Sequence, residues 1–241
     1  MITKILALFI VAFTAFITPA VHAATIPRQY FGLVAPANTG AFPRSDTYCA
    51  PRVQFFGERV PANTTPNHTV IPWYTNLHFG PWINQTPEMR ANFLRVTGHF
   101  AGTTDEVIEW AACKWGLDQN IIKAEAIAES DWRQSELGDY GCGHYDSFGI
   151  IQVRATNASN CSGYNTGWGG YPYTARSTAA DLDAYGAYIR TVYDGRSYMG
   201  TATRGHIWAA VSSWQSGYNS GLDWYVKEVQ TYLAQKAWLK I

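Results

Sequence analysis

Two apolar helical stretches, separated by a single stop, most constrain how this chain can fold. Thr103-Thr104-Asp105-Glu106 reads as a capping box, with Thr103 as N-cap and Glu106 three residues on. Val107, Ile108, Ala111, Ala112 and Trp115 then recur at helical spacing, and Gly116 is a natural stop. Asp118 caps a second helix carrying Ile121, Ile122, Ala124, Ile127 and Ala128. That helix runs out in Glu129, an acid at the end of an otherwise apolar segment. A polar, Gly-rich loop follows, and then a short apolar run from Phe148 to Val153.

The last turn of a helix is the negative end of its macrodipole, which disfavours an ionised Glu129. Partial burial acts in the same direction. A carboxyl that keeps its proton near neutral pH is what donation to a glycosidic oxygen requires. Glu125 lies one turn earlier on the same face and would approach a sugar from the same side as Glu129. An inverting pair must flank the bond from opposite sides, so Glu125 reads as a tuner of Glu129, a structural acceptor or a solvated helix residue. Asp131, Asp139 and Asp146 are loop acids with no distinguishing spacing, and His144 reads as a loop histidine. There is no G-x-S-x-G, H-E-x-x-H or P-loop to support a serine hydrolase, zinc protease or nucleotide enzyme.

Lys4, an apolar run from Ile5 to Ile17 and a small-x-small end (Val21, Ala23) describe a cleavable secretory signal over residues 1–23. The run is shorter than the ~20 residues a spanning helix needs. Removing it takes away Lys4 and no acid, so a formal charge of 0 becomes −1. No nucleic-acid or polyanion binder is expected from that balance. In an exported chain the four cysteines favour two disulfides, expected as Cys142–Cys161 and Cys49–Cys113, each worth about 3 kcal/mol. Cys142-Gly143-His144 with Cys161 lacks the paired spacing of a zinc site, so no metal is expected.

Residues 24–95 read as an irregular arm. Prolines punctuate it from Pro27 to Pro81, yet Tyr30, Phe31, Phe55, Phe56, Trp73, Tyr74, Phe79 and Trp82 make it too aromatic for a disordered tail. It is expected to pack on the body, residues 96–241. Asn63, Asn67, Asn84, Asn157 and Asn160 begin N-x-S/T sequons. Residues 131–176 read as loop-rich. Further helices are expected from Ser177, with Leu182, Tyr185, Ile189 and Val192 on one stripe, from about Arg204 to Gln215, and from Leu222 to Ala237. The body is mainly α. The chain's 10 Trp and 15 Tyr offer both core area and flat faces for sugar rings.

Ala128-Glu129-Ser130, with the later Gly149-Ile150-Ile151-Gln152, resembles the lysozyme-fold lytic transglycosylases, the soluble lytic transglycosylase and goose-type lysozyme group. The resemblance covers residues 95–238. It implies a lysozyme-like helical catalytic domain with a loop-rich, disulfide-tied groove. It also implies Glu129 as sole catalytic acid/base, and a sugar groove that draws on Ser130, Ser147, Gly149 and Gln152. The group's Tyr-Asn-Ala-Gly signature has two counterparts, Trp214-Gln215-Ser216-Gly217 and Tyr218-Asn219-Ser220-Gly221. Helix phase favours the first, placing Trp214 and Gln215 in the groove with Tyr218 beside them.

By this resemblance the chain is an exported enzyme, periplasmic or extracellular, that cleaves the MurNAc–GlcNAc β-1,4 bond of peptidoglycan and leaves 1,6-anhydro ends. It is expected to be a monomer, with no cofactor, nucleic-acid partner or membrane span after signal cleavage. A lysozyme- or chitin-type hydrolase on the same scaffold is the first rival expectation. A catalytically silent glycan-binding protein is the second.

Overall fold

A computed structural model describes residues 32, 34–73, 75–80, 86–141, 143–156, 167–217 and 223–241. The expected signal (1–23), the Cys142–Cys161 bridge, Tyr218 and the sequons at Asn84, Asn157 and Asn160 lie outside those residues. The described part is mainly helical. In chain order it contains α1 (Asp46–Cys49), α2 (Thr64–Asn67), α3 (Pro87–Phe93), α4 (Thr104–Trp115) and α5 (Gln119–Ser130). Three strands follow, β1 (Leu137–Gly141), β2 (His144–Phe148) and β3 (Val153–Arg154), and then α6 (Tyr173–Arg176), α7 (Thr178–Tyr193), α8 (Ile207–Ser216) and α9 (Asp223–Gln235). Among the described residues no helix is long and apolar enough to cross a membrane.

The capping box forms as expected. The Thr103 hydroxyl accepts from the Glu106 amide, and Glu106 Oε2 accepts from the Thr103 amide at 2.8 Å. Gly116 ends α4 in the left-handed region, where a Cβ would strike the Phe42 ring at 2.4 Å. Asp118 caps α5 by accepting from the Asn120 amide at 2.8 Å. Helix α7 departs from the one-stripe reading: all its residues are buried, the signature of a central helix. Gly186 lets it pass close to the Trp115 indole of α4. Its Asp183 accepts from Lys114 Nζ at 2.7 Å and Trp115 Nε1 at 2.6 Å.

The N-terminal segment carries more regular structure than its prolines suggest. Helix α3 begins with Thr86 as N-cap and Pro87 in its first turn, a position where proline's missing N–H costs nothing. Glu109 and Glu106 of α4 accept the backbone amides of Gln54 (2.8 Å) and Phe56 (3.0 Å), so side chains one turn apart hold an extended stretch against the helix. Asn63 and Asn67 are buried. Asn63 bridges the Trp132 carbonyl and the Gln134 amide, so neither sequon offers its amide to a glycosyl donor in the fold.

Cys49 is bonded to Cys113 across 64 positions. Closing a loop of that length removes unfolded-state entropy worth about 4 kcal/mol in the chain-entropy model. A Cys49→Ser variant should therefore melt at a markedly lower temperature than wild type when both are kept oxidised and followed by thermal unfolding.

The stretch after α5 is not wholly loop. β1 and β2 form an antiparallel hairpin with Leu137 opposite Phe148 and Gly141 opposite His144, and β3 pairs with β2. β1 has no buried residue and contains two glycines, so it shows none of the apolar alternation by which a strand is read from sequence.

Candidate active site

Glu129 stands in the last turn of α5, where helices α7 and α9 and the small sheet converge. The helix closes through Asp131 and Trp132, both left-handed, with φ of 50° and 64°. The Trp132 amide reaches back to the Ala126 carbonyl at 3.2 Å, and its fully buried indole donates to the Lys123 carbonyl at 2.9 Å. Left-handed geometry costs a non-glycine residue ~1 kcal/mol. Asp131→Gly should accordingly raise stability by about 1 kcal/mol in urea unfolding, since the Asp131 side chain is exposed and its ion pair with Arg133 is a long one, at 3.7 Å.

Glu129 is half-buried, and its carboxyl is pushed up to about 7. Burial is the main cause, and the negative charges of Asp139 and Glu228 add to it, while a hydrogen bond from Tyr225 acts in the opposite sense. Tyr225, on α9, also contacts Glu125 Oε1 at 3.1 Å. Tyr185 of α7 donates to the other Glu125 oxygen at 2.5 Å. Glu125 is completely buried and held well above the ordinary carboxyl range, chiefly by desolvation. It is therefore no solvated helix residue. The Tyr225 bond favours the ionised form of Glu129, so Tyr225→Phe should move the Glu129 titration midpoint above 7, measurable by carboxyl-labelled NMR.

The turn after β2 is built around Asp181 of α7. Its Oδ2 accepts the Ile151 amide at 3.1 Å, with the Ile150 and Val153 amides nearby, and burial holds its carboxyl well above the usual range. Gly149 sits at φ 89°, and a Cβ there would lie 2.2 Å from Asp181 Oδ2. Gln152, left-handed at φ 56°, donates to the Gly149 carbonyl at 2.8 Å. Ser130 is buried, and its hydroxyl is committed within the protein, donating toward the Ile150 carbonyl at 2.8 Å and accepting from the Arg133 amide. It ties the end of α5 to this turn.

Trp214 of α8 donates its indole N–H to the Ile151 carbonyl at 2.9 Å and meets Tyr185 and Tyr188 edge-on. A cleft of ~370 Å³ opens beside it, with Gln152, Arg154, Tyr188, Tyr198, Trp214 and Gln215 among its walls. That volume is in the range of small-ligand pockets. Glu129 is not one of its walls.

Among the loop acids, Asp139 is the one whose charge acts on Glu129. It accepts from the Ser147 hydroxyl at 2.6 Å and lies 3.7 Å from Arg154. Asp146 is buried against His144, 3.0 Å away. Asp131 is solvent-facing. The fold thus gathers Glu129, Gln152 and Trp214 around one turn and adds Tyr225, Tyr185 and Asp181, which sequence reasoning did not place at the site. Nothing local marks them: Tyr185 reads as one of four residues on a helical stripe, and Tyr225 and Asp181 have no spacing that singles them out.

No protein-family model matches the chain, and searches of the curated proteins and of the solved structures return no match.

Proposed function

We propose that this protein is a glycan-cleaving enzyme of the lytic transglycosylase kind, with Glu129 as its single acid/base. The observation that carries this reading is a half-buried glutamic acid, its carboxyl pushed up to about 7, at the end of a helix that Ser130 ties to the same turn Trp214 bonds. In this mechanism protonated Glu129 gives its proton to the glycosidic oxygen as the C–O bond breaks, and the substrate's N-acetyl group assists at the anomeric carbon. The Glu129 carboxylate then takes the proton from the sugar's 6-hydroxyl as that oxygen closes the 1,6-anhydro ring. Atoms balance without water, and no second carboxylate is needed. The substrate class is peptidoglycan. A disulfide between Cys49 and Cys113 is compatible with a chain exported to an oxidising compartment.

Asp139 supports one rival, a hydrolase, because a carboxylate whose charge acts on Glu129 is a candidate to hold an attacking water. Mass spectrometry of sugars released from purified peptidoglycan separates the two. Anhydro-muropeptides are expected. Reducing-end products would assign a hydrolase, and bound but uncleaved glycan would assign a binding protein.

A further inference from the structure

A hydrogen-bond count at Tyr225 places a proton that the mechanism above does not use. Tyr225 Oη contacts Glu125 Oε1 at 3.1 Å and also contacts Glu129 Oε1. A phenol has one proton to donate, and its oxygen otherwise accepts. With both carboxyls ionised, that proton serves one of them. The other would then press lone pairs against the oxygen of a buried phenol, a costly arrangement. One of the two carboxyls must therefore donate its own proton to Tyr225.

Geometry selects Glu125. Its Oε2 is already the acceptor of Tyr185, 2.5 Å away, so Oε1 is left to face Tyr225 as a donor. The side chain is completely buried. The nearest lysine in sequence, Lys123, is engaged by Asp105 at 2.7 Å. If Glu129 were the donor, its proton would sit on Oε1, directed inward at Tyr225 and away from any substrate. The other titratable groups facing this pair are Asp181 on α7, Glu228 on α9 and Asp139 on β1, and all of them are acids.

We propose that Glu125 is a permanently neutral positioning residue, whose carboxylic O–H holds the Tyr225 hydroxyl pointing at Glu129 Oε1. The chain of donors then runs in one direction, from Glu125 through Tyr225 to Glu129, and Glu129 Oε2 alone is left to carry the proton exchanged with substrate. When Glu129 ionises, the Tyr225 hydroxyl already faces the new charge and nothing has to reorient. No bond to Glu125 is made or broken. The proposal deepens the catalytic reading of Glu129 and rests on it for its functional meaning.

The test is a titration of the whole protein with its glutamate side-chain carboxyls labelled with ¹³C, free of glycan. One glutamate signal should remain that of a neutral acid two pH units above the Glu129 midpoint, and Glu125→Gln should delete it. The Glu129 midpoint should then stay near 7, because a neutral amide replaces a neutral acid. A midpoint falling by about one unit in Glu125→Gln, as expected when a like charge one turn away is removed, would overturn the proposal. So would the absence of any neutral glutamate in wild type at that pH, a readout that needs no variant. In cleavage assays Glu125→Leu should lower kcat about tenfold with KM little changed, and Gln should restore most of the loss. A protein that titrates as described but cleaves no glycan would sink the enzymatic reading and leave the proton placement standing.

Discussion

Glu129→Gln is expected to lower glycan cleavage by about 10²–10⁴-fold, the usual contribution of a positioned general acid/base. The amide keeps the size of the carboxyl and can still accept from Tyr225, so the loss should fall on kcat with the fold intact. Cleavage by wild type should itself decline along an alkaline limb near pH 7, where Glu129 loses its proton. Stability should follow the same group. The folded carboxyl is pushed up to about 7 from the ordinary glutamate value of 4.5, so the native state holds the proton more tightly than the unfolded chain. The resulting stability is fully present below about pH 4.5 and is lost as pH rises through 7. Glu129→Gln should therefore be inactive yet more stable than wild type at pH 8. Chemical denaturation at pH 4 and pH 8, run beside the product assay, checks both signs. Full activity in the variant would end the assignment of Glu129.

The second large effect is expected at Gly149. An alanine there would meet two obstacles: left-handed backbone at φ 89°, and a Cβ 2.2 Å from the buried Asp181 carboxylate with Gln134 Nε2 at 2.7 Å. Gly149→Ala should cost about 2–4 kcal/mol, the size typical of a buried clash added to strain. It should also impair cleavage, because the same turn carries Gln152. Gly40 supplies the control. It has φ 68° but nothing within 4 Å of an added Cβ, so Gly40→Ala should cost only ~1 kcal/mol. Equal losses at the two positions in urea unfolding would show that the Asp181 contact has no energetic weight.

Glu129, its helix and its caps were legible in the sequence because their causes are local. A threonine and a glutamate three residues apart satisfy each other across one helical turn, and Gly116 and Asp118 act within a residue or two of their positions. Helix α3 was as legible, since Thr86-Pro87 is a start signal, but the prolines around it led to an irregular reading. The β1–β2 hairpin was not legible: an exposed strand containing two glycines shows no alternation, and only pairing across the turn makes it a strand. The one-stripe reading of α7 failed for a related reason. Its polar positions, such as Asp181 and Asp183, look solvent-facing along the chain and are satisfied only by groups far away in sequence.

The sequence by itself determined where the helices start and stop and that an acid ends one of them, because short-range sterics and hydrogen bonding decide such features. Tertiary structure alone decided what that acid is. Tyr185 and Tyr225 lie 60 and 100 positions from Glu125, and a pKa near 7 comes from water excluded by three converging helices. Desolvation and the meeting of two carboxyls at one phenol oxygen belong to a packed volume, and no window of sequence contains it.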